Sequence, residues 1–326
     1  MIEVALEGDL QAVLRELPRA PGVAQLLGAG GKSLLLGRAA NLRRWAAKSL
    51  GGGKPSRKNG RPALDLRGIA TSVAFQPTTS EFHQRLVFER RMAGLVPLAK
   101  RRDLKPAAFL HLDPAERFPR VSVRSFAGLA AGLFGPFRDR RAAERARDAL
   151  HKLHPLRSCD YVFEPDSNLP LGLSCLFAQV RSCAAPCLTR VREDGYRALA
   201  REASRLLAGE LSAEACEWLP GWIGPLADAR GLVVEQVRAS LELYPVIEGA
   251  LVEEASALVA AAQSLEAAIA KLRFERPEPA RDDTAWLSAW LYGTKRKGHY
   301  FVIRTAEEQT ALAARVRDKL GAAERP

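Results

Sequence analysis

Four of the five cysteines in this 326-residue chain, Cys159, Cys175, Cys183 and Cys187, fall within 29 residues, spaced C-x15-C-x7-C-x3-C. Thiols this concentrated constrain the fold more than any other feature, because the chain between them must turn back repeatedly if the sulfurs are to converge. In a reducing compartment clustered thiols point to metal before disulfides. Structural zinc usually uses close C-x2-C or C-x4-C pairs, which are missing here. An iron-sulfur cluster suits irregular spacing equally well, since four thiolates need only meet on one cubane. Spacing alone leaves iron-sulfur and zinc level, with reduced structural cysteines as a third reading. Ala184-Ala185-Pro186 keeps the last pair off a helix, and Arg157, Arg181 and Arg190 are placed to offset thiolate charge. Cys216, beside Glu217 and Trp218, reads as a core thiol.

Charge supplies the second constraint. The net charge is +12, and from Lys32 to Arg61 nine basic residues occur with no Asp or Glu. Such a block attracts polyanions by counterion release, and Gly51-Gly52-Gly53-Lys54 would let backbone approach phosphates. The candidate DNA contacts are Lys32, Arg38, Arg43, Arg44, Lys48, Lys54, Arg57 and Lys58. A solvated basic loop is the competing reading. No apolar run is long enough to span a membrane, and Met1 to Asp9 carries Glu3, Glu7 and Asp9 in place of a basic, then apolar, leader. A cytoplasmic protein with no membrane partner is expected.

The glycine run before Lys32 invites a nucleotide-binding reading that fails. A P-loop needs glycine at position 26, where Leu26 stands, and a helix after Ser33, where Leu34-Leu35-Leu36-Gly37 follows. The run reads as a turn between strands Val23 to Leu27 and Ser33 to Leu36. With helices near Asp9 to Leu17, Ala39 to Leu50 and Ser80 to Leu95, and a strand Ile69 to Phe75, residues 1–100 form one unit. Residues 101–210 hold strands Ala107 to Leu112 and Arg120 to Phe126, a helix capped by Asp139, the cysteine segment and a helix opened by Asp194. Residues 211–275 read as helical, with one long helix over Ile247 to Phe274. After a linker, 276–326 form a small α/β extension with Trp286 and Trp290 in its core, a basic turn at Lys295-Arg296-Lys297 and the capping box Thr305-x-x-Glu308. His151 and His154 are expected at the surface or as helix caps.

The motif string carries a family likeness. Leu17-Pro18-Arg19-Ala20-Pro21-Gly22-Val23, the turn, then Leu36-Gly37-Arg38-Ala39-Ala40-Asn41-Leu42-Arg43-Arg44 resembles the start of UvrC, the nuclease subunit of bacterial nucleotide excision repair. There a GIY-YIG nuclease domain reads LPxxPGVY, a hairpin, then YVGKAxNLRxR. Phe118-Pro119-Arg120, Phe134-Gly135-Pro136-Phe137, Leu153-His154-Pro155-Leu156-Arg157-Ser158-Cys159 and Cys183-Ala184-Ala185-Pro186-Cys187 resemble the family's FPR, FGPY, LFPLRTC and CSAPC. The likeness implies a small GIY-YIG-like antiparallel sheet of three strands with flanking helices and a Cys-rich module; with the mainly helical C-terminal half read from composition, the expected fold is α+β. It also implies that Cys159, Cys175, Cys183 and Cys187 ligate a 4Fe-4S cluster, Cys175 being least secure because the x15 gap is long for the family.

The nuclease residues do not follow. The family's first catalytic tyrosine falls on Ala24, the tyrosine of YVG on Leu35, the catalytic arginine on Trp45 and a later tyrosine on Ser49. The lysine of VGKA has become Arg38. Only the metal-binding carboxylate has a counterpart, Glu89, with Glu81 as the alternative register. The expectation is a UvrC-like DNA-binding protein of excision repair without GIY-YIG nuclease activity, Phe75 or Trp45 adding apolar contact to the DNA. The alternatives are an active, magnesium-dependent, structure-specific endonuclease making one incision, and a zinc-stabilised protein-interaction adaptor. The family's second nuclease domain and helix-hairpin-helix unit are expected to be missing. UvrB-like or other repair proteins are the implied partners, although 211–274 shows no clear UvrB-binding hairpin.

Overall fold

The glycine run closes a hairpin. Gly30 and Gly31 hold φ of 67° and 73°, the left-handed region that costs glycine least, and turn the chain from one strand into the next. The computed structural model describes residues 1–51, 66–97, 100–101, 104, 106–126, 132–169, 175–208, 230–252, 256–260, 264–275, 283–293, 297–303 and 305–323. These fall into two units, Met1–Arg101 and Arg102–Pro326. Lys54, Arg57, Lys58, Cys216, Lys295 and Arg296 lie outside the described residues.

The first unit runs β1 (Ile2–Ala5), α1 (Leu10–Glu16), β2 (Gly22–Gly28), β3 (Ser33–Ala39), α2 (Leu42–Ser49), β4 (Ala70–Pro77) and α3 (Glu81–Leu95). The sheet is antiparallel with order β1-β4-β2-β3, one strand more than the three expected. Strand β1 is four residues long and mostly exposed, so it lacks the buried alternation by which a strand is read in sequence. Asp9, Asn41 and Ser80 cap the three helices, each side chain accepting a backbone N–H of the first turn. Gln84 of α3 donates to the carbonyls of Gly22 (2.9 Å) and Ala39 (2.8 Å), fastening the helix to the open end of the hairpin. The core gathers Leu14, Leu17, Ala24, Leu26, Leu42, Ala46, Val73 and Phe75.

The second unit opens with β5 (Ala107–His111), β6 (Ser122–Phe126) and β7 (Leu133–Phe137), ordered β6-β5-β7, followed by α4 (Arg140–Leu153). The short helix α5 (Leu176–Gln179) lies in the cysteine segment, and α6 (Glu193–Ala208) follows it. Leu110, Phe134, Ala146, Leu150, Leu156, Tyr196, Ala200 and Leu206 share one core, so the cysteine segment is framed by α4, α6 and the sheet.

Beyond residue 229 the sequence reading needs correction. The stretch expected to be helical forms β8 (Arg230–Val237), β9 (Ser240–Ile247), β10 (Ala250–Leu251) and β11 (Ala257–Ala260), with α7 (Leu265–Ala270) as its helix among the described residues. The long helix expected over 247–274 is therefore replaced by strands, a turn and this short helix. After α8 (Thr284–Leu291), β12 (His299–Ile303) completes a five-stranded antiparallel sheet ordered β10-β9-β8-β12 with β11 on β9; α9 (Ala306–Thr310) and α10 (Leu312–Ala323) end the chain's described part. The β8-β9 turn is Arg238-Ala239, between paired Val237 and Ser240, and Arg238 itself adopts φ 55°. A hairpin normally advertises itself by Asn-Gly or Asp-Gly, so this one leaves no turn signal. The α+β class stands, and the described C-terminal half combines its helices with a five-stranded sheet that the sequence reading did not expect.

Candidate metal centre and nucleic-acid interface

Arg157 sets the position of the first cysteine. Its N–H donates to the Tyr196 hydroxyl (2.7 Å), its Nε to the Phe118 carbonyl (2.8 Å), and its Nη1 to the Tyr161 carbonyl (2.7 Å). The guanidinium also lies 5.3 Å from the Phe163 ring centre. The hydroxyl of fully buried Tyr196 donates to the Pro119 carbonyl (3.0 Å), and burial raises the phenol above its ordinary range. Arg157 therefore acts as a clamp on the Cys159 loop. Arg190 likewise donates to a carbonyl, that of Ala178 (3.1 Å).

Cys175 stands at the start of α5, where its carbonyl accepts from Ala178 and Gln179, and Cys187 lies in the short turn Pro186–Leu188. Cys183 is buried between them, and the Ala185 N–H donates to its sulfur (3.3 Å). Three non-glycine residues, Arg181, Ala185 and Thr189, hold φ of 56°, 51° and 54° to bend the chain around this centre. Such residues enter the left-handed region at a cost of roughly 1–2 kcal/mol each.

All four cysteines are free thiols. Burial first, the Cys159, Cys187 and Cys175 charges next, push the Cys183 thiol up to about 11, against the Ala185 hydrogen bond. Cys187 is raised by burial and then by Cys175 and Cys159. The four sulfurs thus lie within electrostatic reach of one another. Among the described residues, however, no three His, Cys, Asp or Glu side chains close on a point as a single metal ion requires.

In the first unit, Glu89 of α3 is only 4 % exposed. Its carboxylate pairs with Arg85 one turn earlier and with Arg101, whose Nη1 donates at 2.8 Å. Glu81, the alternative register, is exposed in the first turn of α3. Ala24 is core, Leu35 is exposed on the edge strand β3, and Trp45 lies over Gly37, where an added Cβ would stand 2.6 Å from the indole nitrogen. Phe75, expected as a DNA contact, is buried in the core and unavailable.

The basic block divides by role. Arg43 donates to the carbonyls of Leu17 (2.9 Å) and Arg15, which ties α2 to α1. Arg38 stacks its guanidinium over Phe88, 5.7 Å from the ring centre, while Lys32, Arg44 and Lys48 are exposed. Arg43 and Arg44 share a cavity of about 230 Å³ with Arg15 and Arg19, whose described lining includes no carboxylate. Arg15 and Arg19 escape a charge-run reading because folding, not sequence proximity, brings them there. His151 is also not at the surface: it is buried, with Nδ1 3.2 Å from the Ser158 hydroxyl. Trp286 is core as expected, its indole N–H donating to Asp283 (2.8 Å).

Residues 107–206 match the family described as UvrC/Cho excinuclease, middle domain. Over these residues and beyond them the chain is similar to proteins of the UvrC family. UvrABC system protein C of Rhodospirillum rubrum is 32% identical over 210 residues, covering 63% of this chain and 31% of the relative. The proteins of that name from Aromatoleum aromaticum and Sphingopyxis alaskensis are 31% and 30% identical over 207 residues each, covering 63% of this chain and 33% and 31% of their own lengths. The UvrC likeness therefore extends beyond the middle domain, while the chain spans about a third of these curated relatives. No solved structure is significantly similar to the chain. Within the matched residues 107–206 lie Arg157, Tyr196 and all four clustered cysteines. Among the described residues no helix is long and apolar enough to cross a membrane.

Proposed function

We propose that this UvrC-like chain binds DNA in excision repair without cutting it through its first unit, and that Cys159, Cys175, Cys183 and Cys187 hold a 4Fe-4S cluster. The observation that carries the first part is Glu89. The carboxylate that the resemblance first offers for a catalytic metal is buried between two guanidiniums. A carboxylate whose charge is already balanced by Arg85 and Arg101 is a poor ligand for magnesium. Ala24, Leu35 and Trp45, where the family uses two tyrosines and an arginine, provide neither a phenol for the attacking water nor a guanidinium for the developing phosphorane charge.

The donor set fits the cluster. Cys183 and Cys187, whose proton affinity is raised by burial and then by the neighbouring thiolates, need a cation to ionise, and metal binding releases their protons. A cubane gives each thiolate its own iron, so the sulfurs stand farther apart than the ligands of one zinc ion. When bound, the cluster supplies an electron-transfer centre and a cross-link; Arg157 and Tyr196 hold the Cys159 loop in place for it. DNA and the partner proteins of the UvrABC system complete the reading.

The DNA grip is tested by fluorescence anisotropy with a labelled duplex over a salt series. A steep fall in affinity between about 50 and 200 mM salt is expected, and replacing Arg19 and Arg44 by Ser should lower the log-log slope by about two. A duplex that the chain does not bind, or binds regardless of salt, contradicts the proposal.

A further inference from the structure

Beside the cysteine module a cavity of about 630 Å³ opens between the last turns of α4 and the chain around α5. Its volume lies within the roughly 300–1,000 Å³ of small-molecule sites, and exceeds what a lone phosphate needs. Arg147, Lys152 and Arg181 line it against one carboxylate, Asp148, which accepts from Arg147 at 2.8 and 2.9 Å. Among the described residues Lys152 and Arg181 make no side-chain hydrogen bond or ion pair. Arg181 sits at φ 56°, where glycine would be easiest, yet the position carries a cation. Phe177, 44 % exposed, adds an aromatic face beside Val180. His151 lines the cavity, is 9 % exposed, and its Nε2 has no hydrogen-bond partner among the described residues.

We infer that this cavity seats an unstacked nucleotide of single-stranded DNA, its base against Phe177 and its flanking phosphates on Lys152, Arg181 and Arg147. Cations on two elements around one exposed ring form the combination that binds single strands without sequence preference. A duplex keeps its bases stacked and cannot use Phe177, so the site discriminates by strandedness. Ser158 and Ser182, which also line it, adjoin Cys159 and Cys183, so a bound strand lies against the cysteine module. The inference rests on the DNA-binding reading and assigns it a second site, in the second unit.

The 326-residue chain is titrated with a fluorescein-labelled 20-nucleotide thymidine strand and with a duplex of equal length. Phe177→Ala should weaken the single strand about tenfold and leave the duplex within about twofold. Lys152→Glu with Arg181→Glu should weaken the single strand more than about tenfold, and millimolar AMP should not compete. As these three side chains are exposed, circular dichroism and melting should be unchanged. A strand bound as tightly by both variants as by the parent overturns the inference, and so does its displacement by micromolar AMP, which would make a free nucleotide the ligand. If the parent binds duplex in a salt-dependent way while the variants hold the strand normally, only this inference fails. If the parent binds neither DNA, the proposed function fails with it. Should a variant misfold, photo-crosslinking of the parent to a 5-iododeoxyuridine strand decides: an adduct at Phe177 supports the site, and adducts confined to Met1–Arg101 overturn it.

Discussion

Replacing Glu89 by Gln separates a structural carboxylate from a metal ligand by the sign of its effect. The Glu89 side chain is 3 % exposed and its partners Arg85 and Arg101 are 21 % and 4 % exposed, so water screens the pairs little. The amide would keep the shape of the side chain and remove the negative charge that both guanidiniums face. Removing one partner of a buried ion pair costs about 3–5 kcal/mol; Arg85 reaches some water, so the lower end, about 3 kcal/mol, is expected. For a unit of about one hundred residues each kcal/mol moves the melting midpoint by roughly 4–8 °C, so the first unit should melt more than about 10 °C lower. Differential scanning calorimetry resolves such a shift as a separate early transition. A carboxylate kept for a catalytic metal behaves oppositely in metal-free protein, where its loss is neutral or stabilising. A midpoint within about 2 °C of the parent would refute the structural role.

Three further outcomes follow from the packing. Tyr196→Phe removes the hydroxyl that joins Arg157 N–H to the Pro119 carbonyl, and should cost about 1–3 kcal/mol in urea unfolding of the second unit; an unchanged midpoint would show that water takes its place. Gly37→Ala drives a methyl group against the Trp45 indole and should lower stability by about 1–3 kcal/mol, a loss that Trp45→Leu relieves in the double variant. Chemical analysis of an anaerobic preparation should find about four irons and four labile sulfides per chain, reduced by Cys183→Ser; one zinc with no visible chromophore would favour the adaptor reading.

What was legible in the sequence was whatever local chemistry dictates. Gly30 and Gly31 marked the hairpin because only a left-handed turn uses them so cheaply, and Asp9, Asn41 and Ser80 marked helix starts by the N–H groups they accept. The cysteine module was visible as a concentration of one residue type. Three kinds of feature were not legible. The β8-β9 hairpin turns on Arg238, which carries no turn signal, in a stretch whose Ala, Leu and Glu content imitates a helix. Glu89 meets Arg101 twelve residues away, beyond the end of its own helix, and only folding makes that pair. The four-arginine cavity draws Arg15 and Arg19 from before the hairpin onto Arg43 and Arg44 after it. In each case the deciding partner lies outside the window from which periodicity or charge is read.

The central claim is that the first unit grips DNA without cutting it, and nicking under saturating binding tests it most directly. A supercoiled plasmid is mixed with enough chain to shift it completely and incubated with magnesium or manganese. The expected result is a fully shifted plasmid that remains supercoiled after the protein is removed. Metal-dependent conversion to the open circle, lost on Glu89→Gln in protein shown to be folded, would contradict the claim and make Glu89 the ligand of a working nuclease.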